Sequence, residues 1–408
     1  MSRLLLNGTA TVLATAGVAM LLLLAYALNW SDWRGAETRD LAALAAFGVV
    51  LVIGAALLLV SSTRRSATCG VRFPPLWVGV VSLVAAIAAG LASAHWGWLP
   101  LAEPFVAIVG LAGLFSFIGR LATRWAPATI PRAAVLRSTV WGMFGATTSA
   151  IVLQVLFASG AIVAVIAGLA LVDPAMVRDF VERIGAQGTL DEFSGNIVNT
   201  MTVSFALFAM YAVAAPITEE FTKIVGVAII HRGSGASLYA HFVTGVCVGL
   251  GFSVVETLGY SMAAGESWPW LLLLRSPVAF IHVTATAFAS CGLYHLRTRG
   301  GYRFVLYFIG AVVIHGMWNG LSVTVMLVSM QASSASSISP LAGLLIVAIV
   351  ALLALVLTGC IAWTILTARR LGRAEAATVH HAAVATGHSV VGISTVVFER
   401  SEARGISP

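Results

Sequence analysis

Charge is what this sequence has least of. Only 10% of its 408 residues are Asp, Glu, Lys or Arg, and 59% are hydrophobic. A soluble domain carries roughly 25% charged residues, so the chain has too little polar surface to be solvated as a globule in water, and its solvent is lipid. Lysine is nearly missing as well: Lys223 is the only one, so arginine makes the formal net charge of +7. A nucleic-acid-binding protein would gather that excess into a patch. Here the arginines stand in short loops between apolar runs, and no nucleic-acid partner is expected. The four cysteines (Cys69, Cys247, Cys291 and Cys360) form no CxxC pair, and three lie in apolar segments. That excludes a disulfide framework and a cysteine metal site. The inverted repeat that marks many transporters is also missing.

What is present is a succession of long apolar runs. A span needs about 20 apolar residues, and the chain offers about ten, at roughly 8–28, 41–61, 75–96, 102–119, 140–171, 197–230, 238–264, 271–294, 304–328 and 340–366. The fifth and sixth exceed what a bilayer requires, which implies tilt or a kink, and Pro216 supplies a kink point in the sixth. The first run is longer than that of a signal peptide, so it is expected to stay although Ala25-Tyr26-Ala27 resembles a cleavage site. Arginines cluster after every second span, as with Arg120, Arg124, Arg132 and Arg137 or Arg369, Arg370 and Arg373. Neutral or acidic loops alternate with them, including Asp173, Asp179, Glu182, Asp191 and Glu192 after span five. The positive-inside rule then places both termini in the cytoplasm.

The expected fold is an all-α, polytopic transmembrane helix bundle in the inner membrane. Residues 1–138 hold spans one to four, and 139–195 hold span five with an extracytoplasmic loop. Residues 196–330 form a core of spans six to nine, 331–373 carry span ten, and 374–408 form a poorly ordered cytoplasmic tail. His380, His381 and His388 in that tail are read as solvated.

Spans one to five hold almost no ionisable residues away from their ends. Span six breaks this rule with Glu219, Glu220 and Lys223. Glu256 follows in span seven, Arg275, His282 and Thr286 in span eight, and His315 and Asn319 in span nine. Each charge at mid-membrane costs about 2.5–3.5 kcal/mol, so these groups must neutralise one another, hold water or bind something. Lys223 shares a helix face with both glutamates at i,i+3 and i,i+4. Gly245, Gly249 and Glu256 also share a face, and small residues there let a neighbouring backbone approach. At 1.5 Å per residue, His282 and His315 fall near mid-membrane and the glutamate pair in the cytoplasmic half. Glu256 comes out nearer the outer half. Singly, each residue reads as a structural ion pair or a helix–helix hydrogen bond; four successive spans of them are more than packing needs.

At these residues the sequence resembles the PrsW family of intramembrane proteases, itself grouped with CAAX prenyl endopeptidases and bacteriocin-immunity-type membrane proteases. The resemblance rests on Glu219-Glu220-x-x-Lys223, Gly251-Phe252-x-x-x-Glu256, His282-x-x-x-Thr286 and His315-x-x-Trp318-Asn319, in order across roughly residues 210–325. The lysine three residues after the pair suits PrsW rather than the prenyl-endopeptidase type. Thr257 departs from the family pattern, which usually has Asn there.

The resemblance implies hydrolysis of a peptide bond in a single-pass membrane protein, such as an anti-sigma factor, as an early step of signal transduction. Burial and mutual repulsion favour one neutral carboxyl in an adjacent pair, so one member acts as base and the other as acid. Glu220 is read as the water-activating base, with Glu219 as its acid or structural partner and Lys223 offsetting their charge. His282 and His315 orient the water directly or as ligands of a zinc (Zn²⁺) ion. Glu256 is a third ligand or the hydrogen-bond partner of an imidazole. Asn319 is an oxyanion donor, Thr286 holds a histidine or bonds a neighbouring backbone, and Arg275 pairs with Glu256 or a lipid phosphate. The residues alone leave two other classes open: a proton- or ion-coupled transporter, and a non-catalytic binding or immunity protein.

Overall fold

The computed structural model describes residues 3–30, 36–63, 69–96, 103–126, 129–172, 174–175, 178, 201–232, 235–264, 267–333 and 339–386. All ten apolar runs fall on helices. These are α1 (Arg3–Trp30), α2 (Ala36–Ser62), α3 (Leu76–Trp96) and α4 (Glu103–Thr123). Next, α5 joins Arg132–Val140, a π-helical turn Trp141–Ala146 and Thr147–Val172. Likewise α6 joins Met201–Ala209, a π turn Met210–Ala214 and Ala215–Ile230. The series ends with α7 (Leu238–Ala263), α8 (Trp268–Arg299), α9 (Arg303–Ser333) and α10 (Pro340–Thr386). Eight of the described helices are long and apolar enough to cross a membrane. The other two are α1, with a shorter apolar stretch Leu6–Leu22, and α6, which carries three charges. This is a multi-pass, all-α membrane protein.

Two boundaries differ from the sequence reading. The tenth helix runs on to Thr386, so residues 374–386, His380 and His381 among them, are helical rather than an irregular tail. The Ala-rich stretch Ala374–Ala377 has the strongest helix propensity available, and it continues a helix that is already nucleated. The loop after span five lies almost wholly outside the described residues, as do 387–408 with His388.

The chain divides into two compact units. The first comprises Met1–Thr147, Thr222–Ala311 and Gly359–Pro408; the second comprises Thr148–Phe221 and Val312–Thr358.

In the first unit, α7 and α8 are the most buried spans, at 78% and 67% of their apolar windows, so polar side chains on them are shielded from lipid. Glycines bring them together. A Cβ on Gly245 would press on the backbone of Thr286 and Ala287, and one on Gly249 on the carbonyl of His282. Gly251 and Gly142 do the same between α7 and α5, against Thr139 and Val248. Small residues replace the missing hydrophobic drive between helices in lipid with close van der Waals contact. Ser237 caps the start of α7 by accepting from the Ala240 amide. The end of α6 is tied by Arg297, whose guanidinium donates to the carbonyls of Ala228 and His231 at 2.7 and 2.9 Å. Such a cation suits the negative end of the helix dipole. His231 meets the Thr244 hydroxyl at 2.9 Å and stacks on His241. Burial first, then His241 and Arg297, push its imidazole down to about 3, so it stays neutral there.

In the second unit the π turn of α6 directly precedes Pro216. Proline has no N–H to donate and strains the preceding turn, so carbonyls at the turn need other partners. One is Tyr211, whose oxygen accepts from Asn319 Nδ2 of α9 at 3.1 Å. Gly316 lies against the Ala212 carbonyl, where a Cβ would collide. The approach of α9 to this turn places His315 beside the glutamates.

Candidate active site

Each unit holds one cluster of the polar residues that the sequence singles out, and α6 runs through both sets. In the first unit, Glu256 Oε2 lies 2.9 Å from Arg275 Nη2 and 2.8 Å from His282 Nε2. The other ring nitrogen of His282 is 3.1 Å from Lys223 Nζ. An ammonium can only donate, so Nδ1 accepts and Nε2, the nitrogen near Glu256, carries the proton. Lys223 is fully buried, and its Nζ also stands 3.9 Å from the centre of the Phe252 ring, a cation–π contact. The Arg275 guanidinium lies 4.1 Å from the Tyr260 ring centre. The result is a row of Arg275, Glu256, His282 and Lys223, in which the neutral imidazole stands between the carboxylate and the ammonium.

This row brings Glu256 to His282. The carboxylate reaches His282 because Gly249 seats α7 directly on the His282 backbone. It stands at ion-pair distance from the imidazole. Thr286 follows one turn after His282, fully buried. The Thr257 hydroxyl is buried with no hydrogen-bond partner among the described residues, so this departure from the family pattern leaves the contacts of Glu256 intact.

In the second unit, Glu220 is fully buried and its Oε1 is 3.0 Å from His315 Nδ1. Glu219 Oε2 is 3.7 Å from the other ring nitrogen, Nε2. A carboxylate only accepts, so Nδ1–H donates to Glu220, and the lone pair on Nε2 then faces Glu219. Two electron-rich atoms aimed at each other suit a shared proton, water or cation. The remaining oxygen of Glu219 accepts from Gln154 Nε2 of α5 at 3.1 Å, and the same amide is 3.4 Å from the Thr218 hydroxyl. One N–H of Asn319 is spent on Tyr211, as described above.

Phe252, which the second motif contains, supports the lysine. Sequence reasoning missed one participant. Gln154 stands alone as an uncharged amide in span five. Its signal is simply a primary amide in the middle of an apolar run, where lipid offers it nothing.

Imidazole and carboxylate donors suit zinc, and ligand atoms sharing a tetrahedral zinc ion stand roughly 3.3–3.6 Å apart. His315 Nε2 and Glu219 Oε2 fit that relation to within a small adjustment. His282 engages both nitrogens with side chains, so it binds an ion only by giving up Lys223 or Glu256.

The comparison with known families agrees. The model described as PrsW family intramembrane metalloprotease matches residues 130–356, more than half of the chain. The match takes in span five with Gln154 as well as all four motifs. No curated protein and no solved structure matches the chain. The chain belongs to the PrsW family of intramembrane metalloproteases.

Proposed function

We propose that the protein hydrolyses a peptide bond in a single-pass membrane protein of the anti-sigma-factor kind, with Glu219 as the group that takes a proton from the attacking water. The observation that carries this reading is the placement of His315 between two carboxylates. Glu220, the deeper of the two, fixes the imidazole tautomer. Glu219 faces the other nitrogen at 3.7 Å, beyond a direct hydrogen bond, so both acceptors turn to the same space. This reverses the roles expected from the sequence, in which Glu220 is the base. His282, held between Lys223 and Glu256, belongs to the first histidine motif of the family resemblance and is tested separately below. Inside lipid, water is scarce, so a site must hold its own.

His315 and Glu219 are the side chains that would hold the metal ion named in the family's description, and Glu219 would then serve as a ligand in place of its role as base. When bound, such an ion supplies Lewis-acid polarisation and a more acidic water. Zinc content of purified wild type, Glu256→Gln and His315→Ala tests that assignment. We expect Glu256→Gln to match the wild type and His315→Ala to lose the metal. Wild-type turnover in a metal-free preparation would remove the ion from the mechanism.

The function itself is tested by co-expressing a tagged single-pass anti-sigma factor with the wild type, His315→Ala and His282→Ala. Cleavage by the wild type alone is expected. Equal processing in all three strains would sink the proposed site.

A further inference from the structure

The polar residues given a role so far lie on α6 to α9, yet one polar side chain reaches their chemistry from α5. Around Gln154, the side chains of Ile151, Val152, Val155, Leu156 and Phe157 are exposed on the helix surface and face lipid. A primary amide among them cannot be satisfied by solvent, and leaving it unbonded costs free energy. Gln154 turns inward instead, donating to Glu219 Oε1 and lying beside Thr218 Oγ1. The Thr218 hydroxyl spends its own proton on the carbonyls of Ala214 and Ala215, so it meets the amide as an acceptor. Both contacts therefore use the NH₂ end of Gln154, which fixes the direction of its amide.

We infer that Gln154 is a positioning residue for Glu219: by holding Oε1, it fixes the carboxylate's last torsion so that Oε2 faces His315 Nε2. A glutamate's terminal torsion is broad and soft, and nothing in the carboxylate itself chooses one face over another. The distance of 3.7 Å between Oε2 and Nε2 is thus set from a helix that carries neither histidine motif. The inference rests on the reading of Glu219 as the base. Partners that orient active carboxylates or ligands typically matter by about 10–100-fold.

The test uses the full chain, purified in detergent, cleaving a tagged single-pass substrate. Gln154→Leu keeps the size and removes the N–H. Gln154→Glu keeps the shape and replaces the donor by an acceptor. Gln154→His restores an N–H at similar reach. We expect kcat to fall about 10-fold in Gln154→Leu and about 100-fold in Gln154→Glu, with KM within about twofold because Gln154 is assigned no contact with substrate. Gln154→His should recover most of the loss, and the lipid-facing Val155→Ala should behave as wild type. Wild-type kcat in Gln154→Leu would overturn the inference. So would a loss carried by KM, or a loss that tracks melting temperature with Gln154→His no better than Gln154→Leu. If Glu219→Gln also retains full activity, the reading of the base fails as well. If Glu219→Gln is inactive while Gln154→Leu is normal, only the positioning role fails.

Discussion

Glu219→Gln is expected to lower the cleavage rate by about 10³–10⁴-fold, and Glu220→Gln by about 10²-fold, in the same detergent-solubilised assay. Both substitutions are isosteric, so neither opens a cavity, and the difference between them reports chemistry. An amide at position 219 cannot take a proton from water, and it removes the base outright. An amide at position 220 can still accept from His315 Nδ1 through its oxygen, or donate after a flip. In the second orientation the imidazole is forced into the wrong tautomer, with its proton on the nitrogen that faces Glu219. Part of the population therefore stays competent. The opposite order of effects would make Glu220 the base and Glu219 its support. The contact distances of 3.0 Å at Glu220 and 3.7 Å at Glu219 argue for the order given, since the shorter contact is a made hydrogen bond and the longer one is not.

Gly249→Ala is expected to cost about 10²-fold in turnover with little loss of helix content. Alanine favours a helix more than glycine by about 1 kcal/mol, so local propensity predicts a gain. The contact decides otherwise. A Cβ at this position would stand 2.5 Å from the carbonyl oxygen of His282, which is backbone and cannot swing aside. α7 and α8 must then separate by about an ångström, the scale of displacement that can cost 10² in rate. His282 and Glu256 sit on the two helices being parted. Gly259→Ala on the same helix provides the control, because nothing lies within 4 Å of a Cβ there. Equal activity of the two variants would show that the approach at Gly249 does not set the geometry of His282.

Hydrophobic runs made the helices legible because lipid enforces one rule on every span: satisfy the backbone internally. Helix ends were less legible where composition stays helix-friendly, as after residue 366. The polar core was legible because charges in apolar runs are costly and therefore conspicuous. Pairing was harder. Spacing along one helix told which residues share a face, and so linked Gly245, Gly249 and Glu256 correctly. Spacing could not say that Nδ1 of His315 goes to Glu220, or that Lys223 turns to His282 and Phe252. Those choices depend on rotamers and on how closely two backbones approach. Depth counting puts Glu256 nearer the outer half than His282, and it could not say that the close approach at Gly249 brings the two side chains together. Gln154 gives a weaker signal because an amide carries no charge and so costs less in an apolar run.

The buried lysine has one more consequence. With Lys223 the chain's single lysine and fully enclosed between His282 and Phe252, the folded protein presents no lysine amine to a reagent in the surrounding phase. An acylating probe that finds position 223 must have caught the first cluster open. The chain thus contains its own timer for that opening, readable by mass from one residue with no background from any other lysine.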